Sequence, residues 1–173
     1  AFVNRNARLM GLLLLFSCSF ANSSYAEPWL SARYAQNCAG CHAPQYEAWS
    51  SSHHAQAMMM PTQDNVAGDF SGVRFEDKGV VSTFSRSGDD FVIKIKTKNG
   101  REVEHKVAYT FGVYPLQQYL IKTEGGRYQA YDVAWDARPS QDGGQRWYKL
   151  LPDEDSSESS PFHWTRHTQN WNS

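Results

Sequence analysis

Two of the chain's three cysteines stand three positions apart in the stretch "NCAGCH", residues 37–42, and a histidine directly follows the second. Four kinds of chemistry use thiols this close together. A disulfide between Cys38 and Cys41 would close a very short loop and so stabilise little. A thioredoxin-like redox pair needs a βαβ setting, and none is visible around these residues. A zinc site would draw on Cys38, Cys41 and two of His42, His53 and His54. Covalent attachment of haem c is the reading that uses all three residues. Thiols at this spacing reach the two vinyl groups on one edge of a porphyrin, and the next residue, His42, serves as the proximal iron ligand. Zinc does not need a histidine at that position, whereas haem c does. The expected cofactor is haem c, held by Cys38, Cys41 and His42.

A second axial ligand has several candidates. "PQYEAWSSSHHAQAMMM" (44–60) reads as a helix, with Pro44 in its first turn and Tyr46, Trp49, His53 and Ala57 near helical spacing on one face. His54 lies on the neighbouring stripe with Glu47 and Met58. The thioethers of Met58, Met59 and Met60 are the alternative, and would raise the reduction potential relative to a second imidazole. The tail "SPFHWTRHTQNWNS" places His163, Trp164, His167 and Trp171 within a few residues, and His163 is a further ligand candidate. Arg138 and Arg146 are candidates for pairing with haem propionates, since a guanidinium binds a carboxylate through two parallel hydrogen bonds.

The elements that position these residues follow from the rest of the chain. Its 173 residues suit one modest domain. With 17 Lys and Arg against 18 Asp and Glu, no basic field argues for nucleic acid. Six Trp, nine Tyr and nine Phe imply either a dense aromatic core or walls around a flat ligand. Arg5 and Arg8 precede an apolar run, and Ser24-Tyr25-Ala26 offers small residues to a signal peptidase, so residues 1–26 are read as a signal peptide. The expected location is the periplasm. Membrane association is expected only if Cys18, in "LFSC", is lipidated, and the bulky Phe16 fits a lipoprotein box poorly.

The mature part, 27–173, divides into haem attachment and helix (27–72), an antiparallel β-meander (73–150) and a loop with a His/Trp tail (151–173). Within the meander, Gly88-Asp89, Asn99-Gly100 and Gly125-Gly126 mark turns between about five strands. "YTFGVYPLQQYL" (109–120) reads as a core plug or as a wall of the haem pocket. The fold class expected is α+β: a haem-binding loop and helix segment, an antiparallel β-meander and a short irregular tail.

The phrases "CAGCHAPQYEAWSSSHHAQAM", "YTFGVYPLQQYL", "AWDARP", "GGQRWYKLLPDE" and "HWT" followed by "NWN" occur in an order that resembles the exported multihaem c-type cytochromes related to the tetrahaem cytochrome of ammonia oxidisers. Some members of that group carry tetratricopeptide repeats. The resemblance runs from about residue 30 to the end. It implies that the pattern Trp-x-x-Ser-x-His falls on Trp49, Ser52 and His54, favouring His54 over His53. It also implies further C-x-x-C-H motifs beyond Ser173, so that the chain is an N-terminal fragment and His54 and His163 serve neighbouring haems.

The expected function is periplasmic electron transfer through haem c within a multihaem cytochrome, with periplasmic or membrane-bound redox proteins as partners and no nucleic acid. A catalytic multihaem oxidoreductase of small nitrogen or sulfur compounds is the alternative, and a haem-based redox or gas sensor is a third. Whether the chain is an enzyme is left open, with an electron carrier preferred.

Overall fold

The computed structural model describes residues 37–154 and 157–172; the signal segment 1–26 and Cys18 lie outside the described residues. Two short helices, α1 (Ala43–Ser50) and α2 (His53–Gln56), precede eight strands: β1 (Val73–Asp77), β2 (Val80–Ser87), β3 (Asp90–Lys96), β4 (Glu102–Phe111), β5 (Leu116–Lys122), β6 (Tyr128–Ala130), β7 (Val133–Asp136) and β8 (Arg146–Lys149). All their pairings are antiparallel.

The strands form one sheet in the order β1-β2-β3-β4-β5-β7-β8, with β6 paired to β5 off this path. β5 is shared along its length, Leu120↔Ala130 joining it to β6 and Leu116↔Asp136 joining it to β7. β1 and β8 come into contact, so the sheet curls into a nearly closed barrel. The α+β class expected from sequence is therefore corrected to a mostly antiparallel β-barrel with only a few short helices. The meander is longer than five strands because the stretch around Pro139 and Gly143 is a hairpin connection: it joins β7 to β8, with Trp135 opposite Trp147. The long helix expected over 44–60 is also interrupted. Ser50 and Ser51 both donate their hydroxyls to the Glu47 carbonyl at 3.1 Å, and Ser52 donates to the Trp49 carbonyl at 2.6 Å. Such local bonds compete with helix propagation.

Turn chemistry accounts for the hairpins. Gly88 (φ 60°) and Gly100 (φ 85°) occupy left-handed backbone positions that favour glycine, one between β2 and β3 and the other between β3 and β4. β3 then buries Phe91, Val92, Ile93 and Ile95 while Lys94 and Lys96 face outward. The register shifts between Val107 and Tyr109 where β4 meets β5, and such a bulge bends a strand and increases its twist.

Aromatic rings fill the barrel. Phe84 stacks on Trp147 with centroids 3.5 Å apart and planes 7° from parallel. Phe70, from the segment before β1, sits edge-on to Phe84, Phe91, Tyr119 and Trp147 at 5.1–5.7 Å. Burying one such ring contributes about 1.5–3 kcal/mol. Much of the chain's aromatic content is thus core.

Candidate functional site

The residues with cofactor-binding chemistry precede the barrel. Cys41 and His42 both donate their backbone N–H to the Cys38 carbonyl, at 3.2 and 2.9 Å. The Cys-x-x-Cys-His stretch is therefore wound into a helical turn, where residues three and four apart are neighbours. Cys38 and Cys41 are exposed, and His42 is exposed at the N-cap of α1. No residue of α1 is buried, although its aromatics Tyr46 and Trp49 pair with centroids 6.1 Å apart. Accessible thiols, an accessible imidazole and a helix with uncovered aromatic surface fit a covalently tethered porphyrin. Among the described residues, no three His, Cys, Asp or Glu side chains come together as a metal site.

His54 is placed by Ser52. The Ser52 hydroxyl donates to Trp49 behind it and accepts from the Ala55 N–H ahead at 3.3 Å, capping α2. The Trp-x-x-Ser-x-His spacing therefore has a structural meaning: Ser52 ends one helical segment and starts the next, setting the position of the exposed His54. The His53 ring lies 6.4 Å from the ring of Tyr114, which is itself 54% exposed.

The chain after α2 moors this region to the barrel. Met59 and Thr110 exchange backbone contacts, Thr110 N–H donating to the Met59 carbonyl at 2.9 Å and the Met59 N–H donating to the Thr110 hydroxyl at 3.2 Å; the Gly112 N–H donates to the Ala57 carbonyl at 2.7 Å. Met58 packs on a satellite cluster with Tyr109 and Leu120, whereas Met59 and Met60 stay exposed.

Buried Gln117 fastens the next segment, a role not legible in "LQQYL". Its amide donates to the carbonyls of Asn65 (2.9 Å) and Gly112 (3.2 Å), and its oxygen accepts from the Ala67 N–H (2.8 Å) and the Tyr119 hydroxyl (2.7 Å). Burial raises the Tyr119 phenol pKa well above its ordinary value.

The other candidates, Arg138, Arg146 and His163, follow β7 in the chain. Arg138 holds Asp136, with Nε to Oδ1 at 2.9 Å and Nη2 to Oδ2 at 2.6 Å, so its guanidinium already grips a carboxylate of the chain. Arg146 is exposed, donating to the Gly143 carbonyl at 2.9 Å and lying 5.6 Å from the Tyr148 ring centre. The His163 Nδ1 is 2.7 Å from the Thr165 hydroxyl, and desolvation by burial lowers the imidazole pKa. His163 lines a cavity of the barrel to which residues 37–74 contribute nothing, so the structure does not bring it to Cys38, Cys41 and His42.

Residues 37–79, from the cysteine motif through β1, match the family model described as cytochrome c554 and c-prime. No curated protein and no solved structure matches the chain. The matched segment begins beside the Cys-x-x-Cys-His turn and includes both helices, and it supports a c-type cytochrome family with haem c as the cofactor.

Proposed function

We propose that the chain binds haem c through Cys38 and Cys41 with His42 as proximal ligand, and that it carries electrons as part of a multihaem cytochrome exported to the periplasm. The observation behind this reading is the turn at 38–42, which presents two accessible thiols and an imidazole at the head of a helix with no buried residue. When bound, haem c supplies a one-electron iron couple whose potential depends on its axial ligands and solvent exposure.

The chain's residues do the positioning. Cys38 and Cys41 tether the group, and Tyr46 and Trp49 offer apolar cover. His54, fixed by the Ser52 cap, offers a second imidazole to this haem or to a neighbouring one. Two imidazoles leave no open coordination position, which suits electron transfer to periplasmic or membrane-bound redox proteins. A catalytic reading would need donors such as Arg138 or Arg146 beside an open haem face; the guanidinium of Arg138 is engaged by Asp136, whereas Arg146 donates to the Gly143 carbonyl. Haem-loaded protein is expected to exchange electrons with ferricyanide and to turn over neither nitrite nor hydroxylamine above free haem. Sustained turnover of either substrate would overturn the carrier reading.

A further inference from the structure

One end of the barrel holds a cavity of about 540 Å³ that is separate from the cysteine motif. Its lining includes the β1–β2 turn (Asp77, Lys78) and the β3–β4 turn (Lys98, Arg101). Ala57 and Met59 are moored at Thr110 and Gly112, at and just beyond the other end of β4. The ten residues of β4 span roughly 30 Å at about 3.3 Å per residue. The volume falls within the roughly 300–1,000 Å³ usual for small-molecule sites.

Val80, Ile95, Val103 and Val133 supply apolar lining. One wall is aromatic: Trp164 stands edge-on to His105 at 5.2 Å and to Tyr131 at 5.4 Å. Trp164 belongs to the segment after β8, which is fastened across the cavity at several points. Lys78 Nζ donates to the carbonyls of Pro152 and Glu154 at 2.7 and 3.0 Å, and Gln129 Nε2 donates to the Thr165 carbonyl at 3.1 Å.

The charges around this space are unbalanced. Lys149 and Asp132 neutralise each other at 2.5 Å, both about nine-tenths buried. The guanidinium of Arg166 donates to the backbone carbonyls of Ser160 and Glu158, so, like Lys78, it is hydrogen-bonded without being neutralised. Lys98 and Arg101 form no ion pair among the described residues. Among the described residues, four cations thus line the cavity against two remaining carboxylates, Asp77 and Glu158. The charge of Arg101 reaches inward, since it adds to burial in lowering the pKa of the His105 imidazole.

We propose that this cavity is a binding site for a small organic carboxylate with a flat apolar body, its ring system toward Trp164 and its carboxylate toward Arg101 and Lys98. The apolar and aromatic part of the lining favours the ring, and the excess of cations among the described lining residues selects an anion over a cation of the same shape.

The test is calorimetric titration of the secreted full chain, haem-loaded as isolated, with 2-naphthoate and pyrene-1-carboxylate, and with 2-naphthylmethylammonium as the cationic control. One carboxylate per chain is expected to bind saturably, at least tenfold more tightly than the ammonium probe. Arg101→Glu and Lys98→Glu, both at exposed turn positions, are each expected to weaken carboxylate binding at least fivefold without moving the haem spectrum. Absence of saturable binding by both carboxylates, equal affinity for the cationic probe, or unchanged affinity in both variants would each overturn the proposal. Because calorimetry does not read haem, failure here is distinguishable from failure of haem attachment.

Discussion

Arg138 closes a two-pronged clamp on Asp136, two residues back along the chain, and its backbone N–H adds a third bond to Oδ1 at 3.1 Å. The clamp sits at the end of β7, where the chain leaves for the connection to β8. The Arg138 hydrogen bonds lower the Asp136 carboxyl pKa from 3.8 to about 2. A carboxyl depressed in the folded state stabilises the fold above its unfolded value and loses that contribution as pH falls through its folded value. The melting midpoint is therefore expected to fall more steeply from pH 3.8 toward about 2 in the parent protein than in Arg138→Ala. Parallel pH profiles would contradict this.

Gln117 joins four partners on three segments, and Gln117→Leu removes all four bonds, three of them part-buried and the one to Tyr119 buried. Each unsatisfied buried polar group costs about 1–3 kcal/mol, with partial relief from relaxation. A loss of about 2–4 kcal/mol is expected in urea unfolding. A change below the ~0.5 kcal/mol typical of surface substitutions would show that water replaces the amide without penalty.

Gly68 is held by close approach. A Cβ there would meet the Tyr119 hydroxyl at 2.6 Å and Trp147 Cη2 at 2.7 Å. Both rings belong to the core, so neither yields freely. Gly68→Ala is expected to cost about 1–3 kcal/mol as overpacking, read as a lower melting midpoint. An unchanged midpoint would mean that the segment before Phe70 shifts without loss.

These sites show what the sequence conveyed and what it did not. Gly88, Asn99-Gly100 and Gly125-Gly126 were legible as turns because a positive φ or a tight reversal is a local demand. The cysteine motif was legible as a candidate site from its residue types and spacing, but the helical turn that carries it was not. The closure of the barrel was not legible. It depends on β5 pairing with both β6 and β7 and on β8 returning to β1, contacts between residues far apart in the chain. The break between α1 and α2 had a local signal in Ser50-Ser51-Ser52, which the apolar spacing of Tyr46, Trp49, His53 and Ala57 outweighed. The cavity had none, because its lining comes from Phe75 through Arg166.

Ser52 and His54 carry the second-ligand assignment. In the assembled, haem-loaded protein His54→Ala is expected to convert one low-spin haem to a high-spin or water-ligated form, visible in the absorption and electron paramagnetic resonance spectra, whereas His53→Ala is not. Ser52→Ala removes the α2 cap, at about 1 kcal/mol, and is expected to broaden the same signal without abolishing it. An unaltered spectrum in His54→Ala would remove His54 as a ligand.

The most direct test of haem attachment is the alkaline pyridine haemochrome spectrum of protein secreted together with haem c maturation machinery, compared with Cys38→Ala, Cys41→Ala. The account predicts a c-type signal at one haem per chain in the parent and none retained by the double variant after acid–acetone extraction. A parent protein without covalent haem, or a double variant that keeps it, would contradict the assignment of Cys38, Cys41 and His42.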